Sequence, residues 1–280
     1  MLLSLQNPHI RDGNIRFQEE GHKYTILTDL TSKYTSTTTW IHSHFSKFDA
    51  DAVVASMMKG KNWTPANKYW GLTPKQIKQQ WSDSGISAAN AGTKMHYEIE
   101  CFMNQQGTHM GTHRVGTHRV GTHHDLLNRY NKEAQTTLEW DFFLEFIRNT
   151  PELVPYRTEW LIYDEQVKIS GSIDMVYENQ DDGTLMIYDW KRSSKIEKTN
   201  GWNKSATTEC IAHLPDSNFW HYALQLNTYK TILERNYGKR VSAMFLVRLH
   251  PDNPKKTYDL IKVPVLETEM SDLFEGILNK

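Results

Sequence analysis

The chain has 280 residues, 32 Lys and Arg against 33 Asp and Glu, and a formal net charge of −1, so it has no global attraction for a polyanion. An anionic substrate has to be met by local basic patches or bound metal. Two cysteines, Cys101 and Cys210, are too few for a four-cysteine zinc or iron–sulfur site and suggest no disulfide scaffold, which makes a reducing intracellular compartment the expectation.

No Pro/Gly/Ser-rich linker divides the sequence, so a single domain over residues 1–280 is expected, with a hairpin and helical part at 1–85. The apolar start ends at Leu5, too short for a signal segment, and no run has the length to span a bilayer. Residues 15–27 read as a hairpin turning at Glu19-Glu20-Gly21. Residues 36–58 turn helical, with a break near Lys47. Thr73-Pro74 is a helix start, a capping residue followed by proline at the first helical position. That helix is expected to stop near Gly85 and a second to run over 87–104. Residues 107–124 repeat a Gly-Thr-His unit. They can be read as a metal site of His109, His113, His118, His123 and His124, or as a mobile loop, which the repeated glycines favour. A long helix is predicted over 126–147, then strands over 158–163, 170–177 and 185–191. An irregular basic connection (192–217), a helix over 219–236 ended by Gly238, strands over 241–249 and 258–265, and a last helix over 267–278 complete the chain. This order predicts an α/β or α+β fold, a central mixed sheet flanked by helices.

The chemistry concentrates at 170–191. Asn179, Asp181, Asp182 and Gly183 make a turn between two β-type runs. Asp174 on the first run and Asp189 on the second are 15 residues apart in sequence, a gap that hairpin strands close. Asp189 and Lys191 are two apart, so a strand puts both on one face beside Ile187. Burying a carboxylate and an ammonium there is costly unless they are compensated. An Asp–Lys ion pair is one answer. A divalent metal on Asp174, Asp189 and the Trp190 carbonyl is the other, since Mg²⁺ and Mn²⁺ prefer oxygen ligands. Upstream, His96 and Glu100 are four apart and share a helix face, as do Gln225 and Tyr229 downstream. Each pair can be a surface pair or part of the same site.

Together these segments resemble the PD-(D/E)XK nuclease superfamily, with a restriction-endonuclease-like core. The matching segments are Gly92-Thr93 with His96 and Glu100, Gly171-Ser172-Ile173-Asp174, Asp189-Trp190-Lys191, and Gln225 with Tyr229. The likeness is to its RecB-like exonuclease branch in particular, which includes the nuclease domains of bacterial recombination helicases, mitochondrial genome-maintenance exonucleases and viral and phage relatives. The resemblance implies that His96, Asp174 and Asp189 bind one or two Mg²⁺ or Mn²⁺ ions, with the Trp190 carbonyl as a further ligand, and that Lys191 is catalytic. Glu100 matches the helical acidic position of the family and Glu159 a recurrent acidic one. Gln225 and Tyr229 match an active-site support and DNA-contact motif. Ile173 stands where the superfamily name has proline, as is usual in this branch. The four cysteines of its iron–sulfur members are absent, so no such cluster is expected. The Gly-Thr-His repeat has no counterpart in the family.

The implied activity is metal-dependent hydrolysis of DNA phosphodiesters, most consistent with an exonuclease of replication, repair or recombination acting on a single strand or a duplex end. Lys191 serves there as a base if neutral or as a charge stabiliser if protonated. Arg192, Lys195, Lys198 and Lys204, opposed by Glu197, form a candidate phosphate track or a solvated loop. Trp202, Phe219 and Trp220 can stack on bases or belong to the core. An RNA endonuclease of the cap-snatching type and a catalytically silent nucleic-acid-binding protein are the alternatives.

Overall fold

Apolar residues recur through 154–191 at strand spacing, and the strands they form begin a sheet that helices cover on both faces. The computed structural model describes residues 2–106, 121–130 and 137–279. The chain opens with α1 (Leu3–Gln6), a 3₁₀ turn, and an antiparallel hairpin of β1 (Ile15–Gln18) and β2 (Lys23–Ile26). Then come β3 (Thr35–Ser36), α2 (Thr37–His42), α3 (Ala50–Lys59), α4 (Pro74–Met103), α5 (His123–Arg129) and α6 (Leu138–Asn149). The second half is β4 (Val154–Asp164), β5 (Ile169–Glu178), β6 (Leu185–Lys191), α7 (Asn218–Asn236), β7 (Val241–Arg248), β8 (Asp259–Lys262) and α8 (Glu267–Leu278).

The main sheet runs β3-β5-β6-β7-β8, with β4 also on β5. One edge of β5 pairs antiparallel with β4 from end to end. Its other edge is divided. β3 lies parallel beside Ile169 and Ser170, and β6 lies antiparallel beside Met175 to Glu178. Between these two partners the sheet forks. The β5–β6 turn closes where Gly183 takes φ +68°, a conformation that suits glycine. The helical crossover through α7 makes β6 and β7 parallel, and β8 returns antiparallel.

Alternation along β6 sorts the core. Leu185 and Ile187 face α7, α2 and α8, among Leu226, Ile232, Trp40 and Phe274. Tyr188 and Trp190 face α4 and α6, among Ile99, Phe102, Phe143 and Phe146. Each such side chain, removed from water, contributes roughly 1.5–3 kcal/mol. No helix among the described residues is long and apolar enough to cross a membrane.

Two helix expectations are corrected. Gly85 ends nothing: α4 is one helix of 30 residues. Its start is fixed by a capping box between Thr73 and Gln76. One interior glycine costs only about 1 kcal/mol against alanine, too little to break a helix anchored at both ends. Conversely, 126–147 is not one helix. Tyr130 is extended at the end of α5, and Thr137 caps a new start by accepting from the Trp140 N–H. Within the Gly-Thr-His repeat, residues 107–120, with His109, His113 and His118, lie outside the described residues. His123 is wholly buried, with its ring nitrogens 3.0 Å from Thr150 Oγ1 and 2.9 Å from Tyr177 Oη. Burial pulls its pKa down to about 3, so it stays neutral and is a core residue.

Candidate active site

The fork in the sheet is where the candidate residues meet. The β5–β6 ladder ends at Met175 opposite Tyr188. The next residue on β5 is Asp174, whose Oδ2 accepts from the Trp190 N–H at 3.0 Å. A side chain thus takes the place of a ladder carbonyl and is held at the mouth of the fork. Across β5, Glu159 falls between the pairs Thr158–Met175 and Trp160–Ile173. It adopts φ +43°, a left-handed conformation that costs a non-glycine residue about 1–3 kcal/mol and recurs at functional sites. Ser172 Oγ donates to Glu159 Oε2 at 2.8 Å.

His96 comes from α4. Its Nε2 lies 2.9 Å from the Trp190 carbonyl oxygen. A carbonyl only accepts, so Nε2 carries the hydrogen. Nδ1 then faces Asp174 Oδ2 at 3.5 Å and Glu159 Oε1 at 3.9 Å. One ligand atom each from His96, Glu159 and Asp174 lies within 4.8 Å of the others. One nitrogen and carboxylate oxygens on rigid elements suit a divalent cation, while the Trp190 carbonyl, expected as a further ligand, accepts from His96 Nε2 and orients the imidazole.

Asp189 and Lys191 reach the fork from the α7 side. The Asp189 side chain is 2 % exposed. Lys191 Nζ stands 2.6 Å from its Oδ2, yet neither oxygen accepts a well-aligned hydrogen bond from the described residues. A buried carboxylate with free lone pairs is a further feature that a cation satisfies. The Lys191 ammonium also lies 4.5 Å from the centre of the Tyr222 ring. On the same face of α7, Gln225 Nε2 donates to Tyr229 Oη at 2.9 Å. Tyr229 is buried against Gly171, where a Cβ would come within 2.6 Å of its ring. Only glycine lets α7 approach β5 this closely.

Charge is strongly coupled here. Burial works to lower the His96 pKa, but Asp174 and Glu159 overcome it and raise it to about 9. Burial also opposes the Lys191 charge, and Asp189 and Asp174 outweigh it, so the ammonium is held above its ordinary range. Asp189 is pushed up to about 6 by burial, against the pull of Lys191. At pH 7 the metal-free site therefore holds an imidazolium and an ammonium among carboxylates. A cation bound at Nδ1 must displace a proton. Mn²⁺ uptake at pH 7 is expected to release close to one proton. Affinity is expected to rise about tenfold per pH unit up to about pH 9, where the imidazole is already neutral. Calorimetry in buffers of different ionisation enthalpy measures this, and uptake without proton release would contradict it.

The structure separates the remaining candidates. Glu100 is half-buried one turn beyond His96, outside the group of three. Burial and the Glu159 charge raise its pKa. Arg192 is committed to Glu139, Nε to Oε1 at 2.6 Å, with both side chains largely buried. Lys195 is exposed, 3.9 Å from Glu197, Lys198 lies over the Phe219 ring at 4.8 Å, and Lys204 is exposed. Phe219 is core, and Trp220 packs against the core and donates Nε1–H to the Lys198 carbonyl. Trp202 is 76 % exposed.

Sequence reasoning missed three residues. Tyr222 was findable, since it lies three residues before Gln225 on one helix face. Ser172 carries no signal of its own within the Gly171–Asp174 segment. Tyr24 of β2 gave no signal, yet its phenol is pushed up to about 12, first by burial and then by Glu159 and Asp174.

A family model for the PD-(D/E)XK nuclease superfamily matches residues 76–280, which contain every residue of the site except Tyr24. A search of curated proteins finds no match.

Proposed function

Since the chain belongs to the PD-(D/E)XK nuclease superfamily and is a metal-dependent nuclease, we propose that it is a DNA exonuclease using Mg²⁺ or Mn²⁺. The observation that carries this reading is the convergence of His96, Glu159 and Asp174 within 4.8 Å, beside the buried Asp189–Lys191 pair. The first three would hold the ion; Asp189 lies outside that group, its Oδ2 2.6 Å from Lys191 Nζ and its Oδ1 without a hydrogen bond among the described residues. Bound there, a divalent ion supplies charge neutralisation at the phosphoryl oxygens and makes water a better nucleophile.

The chain's own residues supply the rest. Lys191, its charge favoured by Asp189 and Asp174 in the metal-free site, would act on the negative charge that grows on phosphorus oxygens as water attacks in line. Asp189 and the Tyr222 ring fix where that ammonium stands. Gln225, held by Tyr229, presents its remaining amide hydrogen to a substrate phosphate or base. The attacking water gives up its proton to solvent, and breaking the P–O3′ bond leaves a 3′ oxygen that takes a proton from solvent. Arg192 is tied to Glu139, so Lys195, Lys198, Lys204 and the open Trp202 are the groups of the connection left to follow the strand. The DNA and exonuclease parts of the proposal rest on the Gln225–Tyr229 pair and its likeness to the RecB-like branch.

End-labelled DNA in Mn²⁺ tests the proposal, with linear against circular, single against double stranded, and an RNA of the same sequence. Linear single-stranded DNA is expected to shorten from an end while circles stay intact. Internal cuts in circles would overturn it in favour of an endonuclease, and RNA degraded in preference to DNA would overturn it in favour of a ribonuclease.

A further inference from the structure

Away from the fork, the chain carries a surface that the chemistry above does not use. Residues 49–83 carry five lysines against three aspartates, Asp49, Asp51 and Asp83, in a protein whose total charge is −1. Lys78 is held by Asp51 at 2.5 Å. Lys59, Lys61, Lys68 and Lys75 are exposed, and Lys59, Lys61 and Lys75 form no ion pair among the described residues. Aromatic rings stand among them. Trp63 and Trp70 lie 5.6 Å apart, with Trp70 47 % exposed. Phe48, 73 % exposed, lies 6.0 Å from Trp81, whose Nε1–H donates to Tyr69 Oη.

These groups share one arm, α3 packed against the start of α4, with Val54 and Ile77 buried inside it. Most of the arm precedes the region matched by the family model. Solvent-facing aromatics beside unneutralised lysines are poor for solubility and good for a polyanion whose bases are free to stack. The arm is joined to the fork by α4 itself, whose residues 82–90 are all exposed. From Trp81 to His96 is 15 residues, about 22 Å along the helix axis. At about 3.4 Å per stacked nucleotide, a strand needs roughly six or seven nucleotides to touch both.

We propose that this arm is a second contact surface for single-stranded DNA, gripping the strand about 22 Å from the site where it is cut. The ligand follows from the nuclease reading, and the test keeps the two apart. Binding is measured by fluorescence anisotropy with divalent metal chelated, so no cleavage is needed. Labelled single strands of about 30 and about five nucleotides are compared, with a duplex of the longer length. The triple variant Lys59→Glu, Lys61→Glu, Lys75→Glu changes exposed side chains only. It is expected to weaken binding of the long strand at least tenfold and to lower its salt slope by about 2, leaving the short strand unaffected. Trp70→Ala is expected to weaken the long strand by about fivefold or more through lost stacking. Wild-type affinity and salt slope in the triple variant would overturn the proposal, as would an equal loss on the duplex. A wild-type protein that binds in this pattern but cuts nothing would sink the nuclease reading alone.

Discussion

Replacing Lys191 by alanine is expected to lower cleavage by about a hundredfold or more while divalent-metal uptake persists. The fold aims this ammonium at the fork, 2.6 Å from Asp189 and over the Tyr222 ring. Its removal takes away charge that matters most as the phosphoryl group becomes more negative. The cation cluster of His96, Glu159 and Asp174 does not include it and is left in place. Folding should survive because Asp189, already pushed up to about 6 with Lys191 present, takes up a proton when its partner is gone. Single-turnover cleavage and metal calorimetry on one preparation check both halves. A Lys191→Ala protein that cuts at the wild-type rate would remove the lysine from the chemistry.

Asp174→Asn should be as damaging by a different route. The amide oxygen of asparagine can still accept the Trp190 N–H that Asp174 receives at 3.0 Å, so the fork keeps its shape. What disappears is the negative charge. Asp174 is the main influence holding His96 protonated, so the histidine pKa should fall in the variant. The cation loses one of its carboxylates. Removing a group that merely supports a ligand costs 10–100-fold in affinity, so removing the ligand itself should shift half-activation by Mn²⁺ upward by about a hundredfold or more. Activation curves measure the shift, and an unmoved midpoint would take Asp174 out of the cation site.

Much of this arrangement was legible from the chain. The strand pattern of 185–191 put Asp189, Lys191 and Ile187 on one face, and that is the face that meets α7. Helical spacing paired Gln225 with Tyr229, and the two are hydrogen bonded. What sequence could not convey was which contact each charge makes. Asp174 and Asp189 read as equivalent carboxylates, but one accepts a backbone hydrogen bond and lies by His96 while the other is matched to Lys191. Glu159 enters the cluster through a left-handed backbone shortly after the register shift between Pro155 and Arg157, which no residue preference announces. Arg192 looked free for phosphate because Glu139, its partner, is 53 residues away. The helix boundaries failed where a weak local signal met strong context. Gly85 was outweighed by the capping box and the buried C-terminal half of α4, whereas the apolar period across 126–147 concealed the break at Tyr130.

On the proposed reading, the His96–Glu159–Asp174 cluster must be filled by a divalent ion for this nuclease to act. Titrating Mn²⁺ into the wild-type protein, with uptake followed calorimetrically and hydrolysis of end-labelled single-stranded DNA followed in parallel, tests it most directly. Cleavage is expected to rise over the same Mn²⁺ range in which the site fills and to be abolished by chelator. Cleavage that persists in chelator, or Mn²⁺ uptake that saturates with no cleavage of any nucleic acid, would contradict it.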